Sequence, residues 1–183
     1  GIRLAKGDEV ISMSILRHAE FGVDERNAFL RLQRAKRGET EPEVESAEPE
    51  AEEAASAATV TLSKERVAAM EALQEFLLAI TEKGYGKRSS SYEYRVTGRG
   101  GTGIANIESS KRNGDVVASF PVSEADQVML VTDAGQLIRC PVDDVRIAGR
   151  KTQGVVIFRV EEAEQVVGRG PPAWRSWGAP PSP

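Results

Sequence analysis

Leu-Leu-Ala-Ile-Thr-Glu-Lys-Gly at positions 77–84 lies over Val-Met-Leu-Val-Thr-Asp-Ala-Gly at positions 128–135, a shift of 51 places. The same shift carries Leu77–Ile107 onto Val128–Phe158 without a gap. Arg88 falls on Arg139, Glu93 on Asp144, Arg95 on Arg146, Gly98-Arg99 on Gly149-Arg150 and Gly103-Ile104 on Gly154-Val155. Glycines, arginines and apolar runs that recur at one spacing mark a repeat, and a period of tens of residues means a solenoid, a propeller or an array. Each unit reads as short strands. Phe76–Thr81 is an apolar run that ends at the turn Glu82-Lys83-Gly84, as Val128–Thr132 ends at Asp133-Ala134-Gly135. Glycine there supplies the positive φ of a tight hairpin. The return strands are Tyr85–Arg88 and Gln136–Arg139. Gly103–Ile107 matches Gly154–Val160 as a third strand, and Asp115–Val117 matches Gln165–Val167, with a one-residue slip, as a fourth. Four short antiparallel strands in about 50 residues is the size of a propeller blade.

The expected fold class is therefore mainly β, about two blades plus a partial one, interrupted by a helical and disordered insertion. Residues 1–16 read as a partial blade, because Gly1–Ala5 lies over Gly103–Ile107 at two periods and Lys6–Ile11 resembles Asn113–Val117. The chain opens partway through a unit and is expected to be a fragment of a longer protein. Residues 17–75 read as the insertion. It holds a helix over 24–37 capped by Asp24, an acidic linker over 39–58, and a helix over 64–75 capped by Ser63. The linker carries eight glutamates and no Lys or Arg, so it cannot bury enough apolar surface to offset its ordering entropy and is expected to be disordered. The first helix is basic, with Arg26, Arg31, Arg34, Lys36 and Arg37, and reads as a solvated amphipathic helix. Residues 76–126 read as one blade and 127–167 as an incomplete one. The Pro/Trp/Arg tail over 168–183 is expected to be disordered, although Trp174 and Trp177 could stack on a base or a partner.

Net charge is −4, which argues superficially against nucleic acid. The distribution says otherwise. From Phe76 to Val160 twelve basic residues face nine acidic ones, and the negative charge comes largely from the glutamate run. Charge distribution matters more than the sum for phosphate binding. The single cysteine, Cys140, excludes an internal disulfide, suits a reducing compartment and reads as a small core residue. No secretory signal is evident and no apolar run approaches the roughly 20 residues of a membrane span.

No catalytic constellation emerges. His18, the only histidine, has no nucleophile or ligand cluster around it, and no Cys/His metal spacing exists. Gly98-Arg99-Gly100-Gly101-Thr102-Gly103 resembles a phosphate-cradling loop. It lacks the Gly-Lys-Ser/Thr ending and leads into an expected strand, so the helix dipole that binds nucleotide phosphate is missing. The periodic cations point elsewhere. Arg88/Arg139, Arg95/Arg146 and Arg99/Arg150 would stand at successive stations along one surface, where a duplex would meet a guanidinium at each. For Arg95 and Arg146 a bridge to the nearby Glu93 and Asp144 remains equally open. Lys87, Arg88, Arg99, Arg150 and Lys151 lie in glycine-rich and polar turns and read as phosphate contacts.

Thr81–Arg88, Asp126–Gly135 and Ile147-Ala148-Gly149-Arg150-Lys151-Thr152-Gln153-Gly154-Val155 together resemble the C-terminal domain family of the DNA gyrase A protein. The corresponding protein of topoisomerase IV is a weaker match. The resemblance covers Phe76–Val167 and Gly1–Leu16. It implies a β-pinwheel, a propeller-like disc whose basic rim wraps duplex DNA. It also implies a type II topoisomerase that introduces negative supercoils, acts in the bacterial cytoplasm, and works with the gyrase B protein and a second copy of the gyrase A protein. ATP and Mg²⁺ are implied for the whole enzyme, bound elsewhere, with no cofactor and no catalytic residue in this chain. The Gln-Arg-Gly box of the family's first blade is absent. The DNA-binding residues expected on these grounds are Arg3, Lys83, Lys87, Arg88, Arg99, Lys111, Arg112, Arg139, Arg150 and Lys151. The alternative is a propeller-type protein-interaction scaffold that recruits a partner through residues 24–75.

Overall fold

A computed structural model describes residues 4–39, 60–101, 103–161 and 163–167. Arg3, the acidic linker from residue 40 and the tail from residue 168 lie outside the described residues. The chain divides into two units, Gly1–Leu16 with Glu75–Pro183, and Arg17–Gln74.

The first unit is built on antiparallel strands. β1 (Phe76–Thr81) and β2 (Tyr85–Ser90) form a hairpin with Leu78 opposite Arg88. β3 (Val116–Val122) lies on the other side of β1, with Phe120 opposite Leu78. β4 (Gln127–Val131) and β5 (Leu137–Pro141) form a second hairpin, with Leu130 opposite Ile138. The short β6 (Val155–Val156) adds to the outer side of β2, so the larger sheet runs β3-β1-β2-β6. Alternation decides which side chains go inward. Ala118, Phe120 and Val122 of β3 are buried, as are Val128 and Leu130 of β4, while Met129 between them faces out. These join Leu78, Ile80, Val142, Val145 and Val166 in one core that both sheets share. Burying each large side chain contributes about 2 kcal/mol. Pro121 is tolerated in β3 because β3 is an edge strand, where a missing N–H breaks no ladder bond.

The two hairpin turns repeat as the period requires. The Gly84 N–H donates to Thr81 O and the Gly135 N–H to Thr132 O, each at 3.0 Å, with φ of 72° and 83°. The expectation that each unit supplies all four of its own strands needs correction. The edge of β2 is filled by β6, which comes from the following unit of sequence. By the same rule Gly103–Ile107 should pair with a β2-like strand of the preceding unit. No such strand exists among the described residues, and 103–107 is irregular backbone, not the expected strand. The β6 strand is also shorter than Gly154–Val160 suggests, because the Ile157 and Phe158 N–H groups both turn onto Gly84 O, at 2.9 and 3.1 Å. Residues 4–16 form no strand either; their one hydrogen-bond tie to a strand is Ser12 Oγ donating to Ser119 O at 2.9 Å.

The second unit is a helix pair. α1 spans Val23–Lys36 and α2 spans Lys64–Leu73. Gly22, not Asp24, is the N-cap of α1: the Gly22 N–H donates to the Glu25 carboxylate at 2.9 Å. Ser63 caps α2 by accepting from the Arg66 N–H at 3.2 Å. Phe29, Leu30 and Met70 are the buried side chains. Arg66 forms a two-pronged pair with Glu25, Nε–Oε1 2.7 Å and Nη2–Oε2 2.9 Å, and lies over the Phe21 ring. The Arg66 hydrogen bond, helped by the Gly22 N–H, holds the Glu25 carboxyl down at about 2. No helix among the described residues is long and apolar enough to cross a membrane.

The two hairpin glycines differ in one respect that a substitution would expose. A Cβ on Gly84 would lie 2.0 Å from Phe158 O, whereas a Cβ on Gly135 meets nothing within 4 Å. Gly135→Ala should cost about 1 kcal/mol, the left-handed backbone penalty alone. Gly84→Ala should cost about 3 kcal/mol or more, because backbone must shift. Urea unfolding of the two variants side by side checks the difference.

Candidate nucleic-acid interface

The cations fall into two sets, and strand β2 separates them. β1 covers one edge of β2 and the segment 146–156 covers the other, where Arg88 bridges Ile147 and Tyr85–Gly86 pair with β6. Lys87 and Arg88 are neighbours on that strand, so their side chains leave on opposite faces. Both are interior, 1% and 4% exposed. The Lys87 ammonium donates to Gly149 O and Arg150 O, each at 2.6 Å, and to Thr152 Oγ1 at 3.3 Å. The Arg88 guanidinium donates to Val145 O at 2.7 Å and Asp143 O at 3.1 Å, and reaches Glu124 Oε1 at 3.5 Å. Read from sequence, these two contact phosphate. In the fold both are interior, and their donors go to backbone carbonyls, the Thr152 hydroxyl and the Glu124 carboxylate. The physical reason is the central position of β2, which the period alone does not reveal.

Arg139, the period mate of Arg88, is exposed on β5 opposite Met129. Arg99 is exposed in the turn at 99–100. Arg95 and Arg146 are exposed, and the Glu93 carboxylate accepts from the Arg150 backbone N–H at 2.7 Å.

The other set is Lys83, Lys111, Arg112, Arg150 and Lys151, and hydrogen bonds tie their turns together. Asn113, fully buried, is the knot. Its Oδ1 accepts from the Ser110 N–H at 2.7 Å and from Ser110 Oγ at 3.0 Å. Its Nδ2 donates to Glu108 O at 2.8 Å and to Gln153 O at 3.2 Å. The Glu108 N–H donates to Thr152 O at 3.1 Å. The turn bearing Lys111 and Arg112 is thereby fastened to the turn bearing Arg150 and Lys151. The Lys83 ammonium donates to Lys111 O. The Arg112 Nε donates to the Tyr85 hydroxyl at 3.1 Å, with its guanidinium over that ring. Arg150 Nη1 donates to Ala105 O at 2.6 Å. Lys83, Lys111, Arg112 and Lys151 are exposed and Arg150 is half-buried. Sequence reading missed Asn113 as an organiser. The signal was there in Asn113-Gly114, a residue that bonds its own turn followed by one at positive φ.

Burial pushes the Lys87 ammonium down to about 8. Glu93 draws it partly back up, and Arg150 lowers it further. Burial likewise pushes the Tyr94 hydroxyl up to about 12; that hydroxyl donates to Asn106 Oδ1. Among the described residues no group of three His, Cys, Asp or Glu could hold a metal ion. What the arrangement offers is a set of cations on turns fastened to one another.

The family model described as DNA gyrase C-terminal domain, beta-propeller, matches residues 75–123 and 126–168. The chain is 54% identical over 171 residues to the DNA gyrase A protein of Granulibacter bethesdensis, covering 91% of this chain and 18% of that protein. It is 45% identical over 92 residues to the DNA gyrase A protein of Escherichia coli, covering 50% of this chain and 10% of that protein. A solved structure of a DNA gyrase A C-terminal domain overlays 52% of this chain and 32% of its own, with 29% identity and a TM-score of 0.49. The chain spans less than a fifth of the length of these two gyrase A relatives.

Two outcomes follow from the buried pair. Arg88→Met strands the carbonyls of Val145 and Asp143 and should cost about 3 kcal/mol, while Arg139→Met should change stability by less than about 0.5 kcal/mol; denaturant midpoints measure both. Lys87 sets a pH dependence. Between about 8 and its ordinary 10.5 the unfolded chain holds this proton more firmly than the folded one, so stability rises with pH in that window. Urea unfolding from pH 8 to just below 10, below the range where Tyr94 opposes it, should show the rise, and Lys87→Met should flatten it.

Proposed function

Because the chain belongs to the DNA gyrase C-terminal domain family of β-propellers, we propose that it binds duplex DNA through its phosphates and holds it along a cationic rim. The observation that carries this reading is the fastening of two cationic turns, 111–112 and 150–151, into one surface through Asn113 and Glu108. Lys83, Lys111, Arg112, Arg150 and Lys151 are the contacts at that surface. Arg99 and Arg139 are further contacts along the rim, and Arg3 belongs to the proposed set on its sequence position. Lys87 and Arg88 are not phosphate contacts. Arginine offers a planar fork to phosphate oxygens and lysine a point charge, and neither reads base sequence from the backbone. Binding is therefore tolerant of sequence and steep in salt.

In the whole enzyme such a rim would wrap DNA so that a segment of the same DNA is presented for passage through a break. Its contribution to ATP-dependent negative supercoiling is positional. ATP and Mg²⁺ would be bound elsewhere, and the gyrase B protein and a second copy of the gyrase A protein would be the partners, in the bacterial cytoplasm. The chain's own residues bind and orient; they carry no bond-making step.

The test is fluorescence anisotropy of the full chain with a long mixed-sequence duplex across a salt series. The five phosphate contacts at the fastened turns contribute about −4.5 to the log–log slope, and Arg99, Arg139 and Arg3 steepen it to about −7. Lys111→Ala with Arg112→Ala should reduce its magnitude by about 2. Indifference of a folded chain to DNA at low salt, or an unchanged slope in the double variant, would overturn the reading.

A further inference from the structure

We propose that Lys87 is a positioning residue for DNA binding: from inside the sheet it clamps the 149–152 turn so that Arg150 and Lys151 are held out together. This rests on the DNA-binding reading above.

The geometry is unusual for a lysine. Lys87 is 1% exposed, yet its ammonium has three oxygen partners, and all three belong to one four-residue turn: Gly149 O, Arg150 O and Thr152 Oγ1. The Thr152 hydroxyl in turn donates to Gly149 O at 2.8 Å, so the clamp and the turn share acceptors. An ionised group is brought out of water only at a cost of several kcal/mol. A methionine or leucine would fill the same volume without that cost. What the ammonium adds is three fixed donors aimed at two carbonyls and a hydroxyl of a turn whose Arg150 N–H already goes to Glu93. A cation held on an ordered turn loses less conformational freedom on meeting phosphate than one on a loose turn.

The chain contains its own comparison. The period places Gly98–Gly101 over Gly149–Thr152 and Arg99 over Arg150. The counterpart of Lys87 in the later unit is Ile138, so the clamp is not a feature of the repeat. Residues 98–101 are exposed throughout, while Gly149 and Arg150 are half-buried. One arginine of the pair is clamped and the other is not.

The clamp depends on charge. Protonated, Lys87 has three donors for three acceptors; as the amine it has two. Glu93 and Arg150 are the charged groups that act on it, and Tyr94 shares both of them as neighbours. Glu93 holds the proton on, Arg150 pushes it off, and Tyr94 stays neutral well above the range concerned. Raising the pH through about 8 should therefore loosen the turn and weaken DNA binding while the fold itself is retained.

A double-mutant cycle with the full chain and a long mixed-sequence duplex tests this. Lys87→Met should weaken binding about tenfold in the otherwise unchanged chain and have almost no effect when Arg150→Ala and Lys151→Ala are already present. A merely structural lysine would weaken binding equally in both backgrounds, since Lys83, Lys111 and Arg112 remain in each. Arg150→Ala should also cost more than Arg99→Ala. The unsubstituted chain should lose affinity from pH 7 to pH 9, and the Arg150→Ala, Lys151→Ala chain should not. If Lys87→Met does not fold, Lys87→Gln takes its place in the same cycle, and additivity there overturns the proposal. Should the unsubstituted chain ignore DNA, the function above fails. The clamp is then read by hydrogen exchange at the 150–152 amides, faster in Lys87→Met if it exists. Additive effects in a chain that does bind DNA sink the clamp alone.

Discussion

Lys87 and Arg88 stand side by side on β2 and leave it on opposite faces, one ammonium and one guanidinium inside a small β structure. Arg88 reaches the exposed Glu124 carboxylate at 3.5 Å, and Glu93 acts on Lys87. Each is met by backbone carbonyls of a later stretch of chain, Asp143 to Arg150, with Thr152 just beyond. The arrangement answers two needs at once. The charges need oxygen partners, and an irregular segment between β5 and β6 needs donors for carbonyls that no ladder satisfies. Because the donors are on the first unit of the repeat and the acceptors on the second, the pair fastens the two units. The outer edge of β2 closes the same junction through backbone bonds: the Arg88 N–H donates to Arg146 O at 2.9 Å and the Ala148 N–H to Arg88 O at 2.8 Å.

The shared core then follows with little freedom. Once 142–156 is held against β2, Val142 and Val145 have only the inner faces of β1, β3 and β4 to pack on, where they join Leu78, Phe120 and Leu130. Gly84 and Gly154 are the points where this closeness leaves no room for a side chain, with Phe158 O and Gly86 O standing where a Cβ would be. The cationic turns project from the periphery of that junction. Their placement is a consequence of how the units are fastened, which is why buried residues, Lys87 and Asn113, control exposed ones.

The helix pair of residues 17–74 follows separate rules. It is stabilised by an Arg66–Glu25 fork beside Phe21 and by caps at Gly22 and Ser63, all of them within its own unit. The Granulibacter relative aligns over 171 residues and the Escherichia coli relative over 92. An alignment over 91% of this chain takes in most of the helical segment, and the family model takes in the blade pair.

The repeat, its hairpins, its turn glycines and its family were legible in the sequence because each depends on local chemistry. A strand needs alternation, a turn needs positive φ, and a period survives as long as each unit repeats the same local solution. Leu77–Gly84 and Val128–Gly135 carry all of that without reference to anything distant. What the sequence could not decide was which neighbour each edge would find. Arg88 and Arg139 are identical in type and in repeat position, yet one is buried and the other exposed. Gly103–Ile107 and Gly154–Phe158 match in the same way, yet only the second contributes a strand. A side chain's burial depends on the strand laid against its own, and that partner comes from a different unit of the repeat. The period fixes what each residue is, and tertiary contact between units fixes whether its charge faces a carbonyl or the solvent.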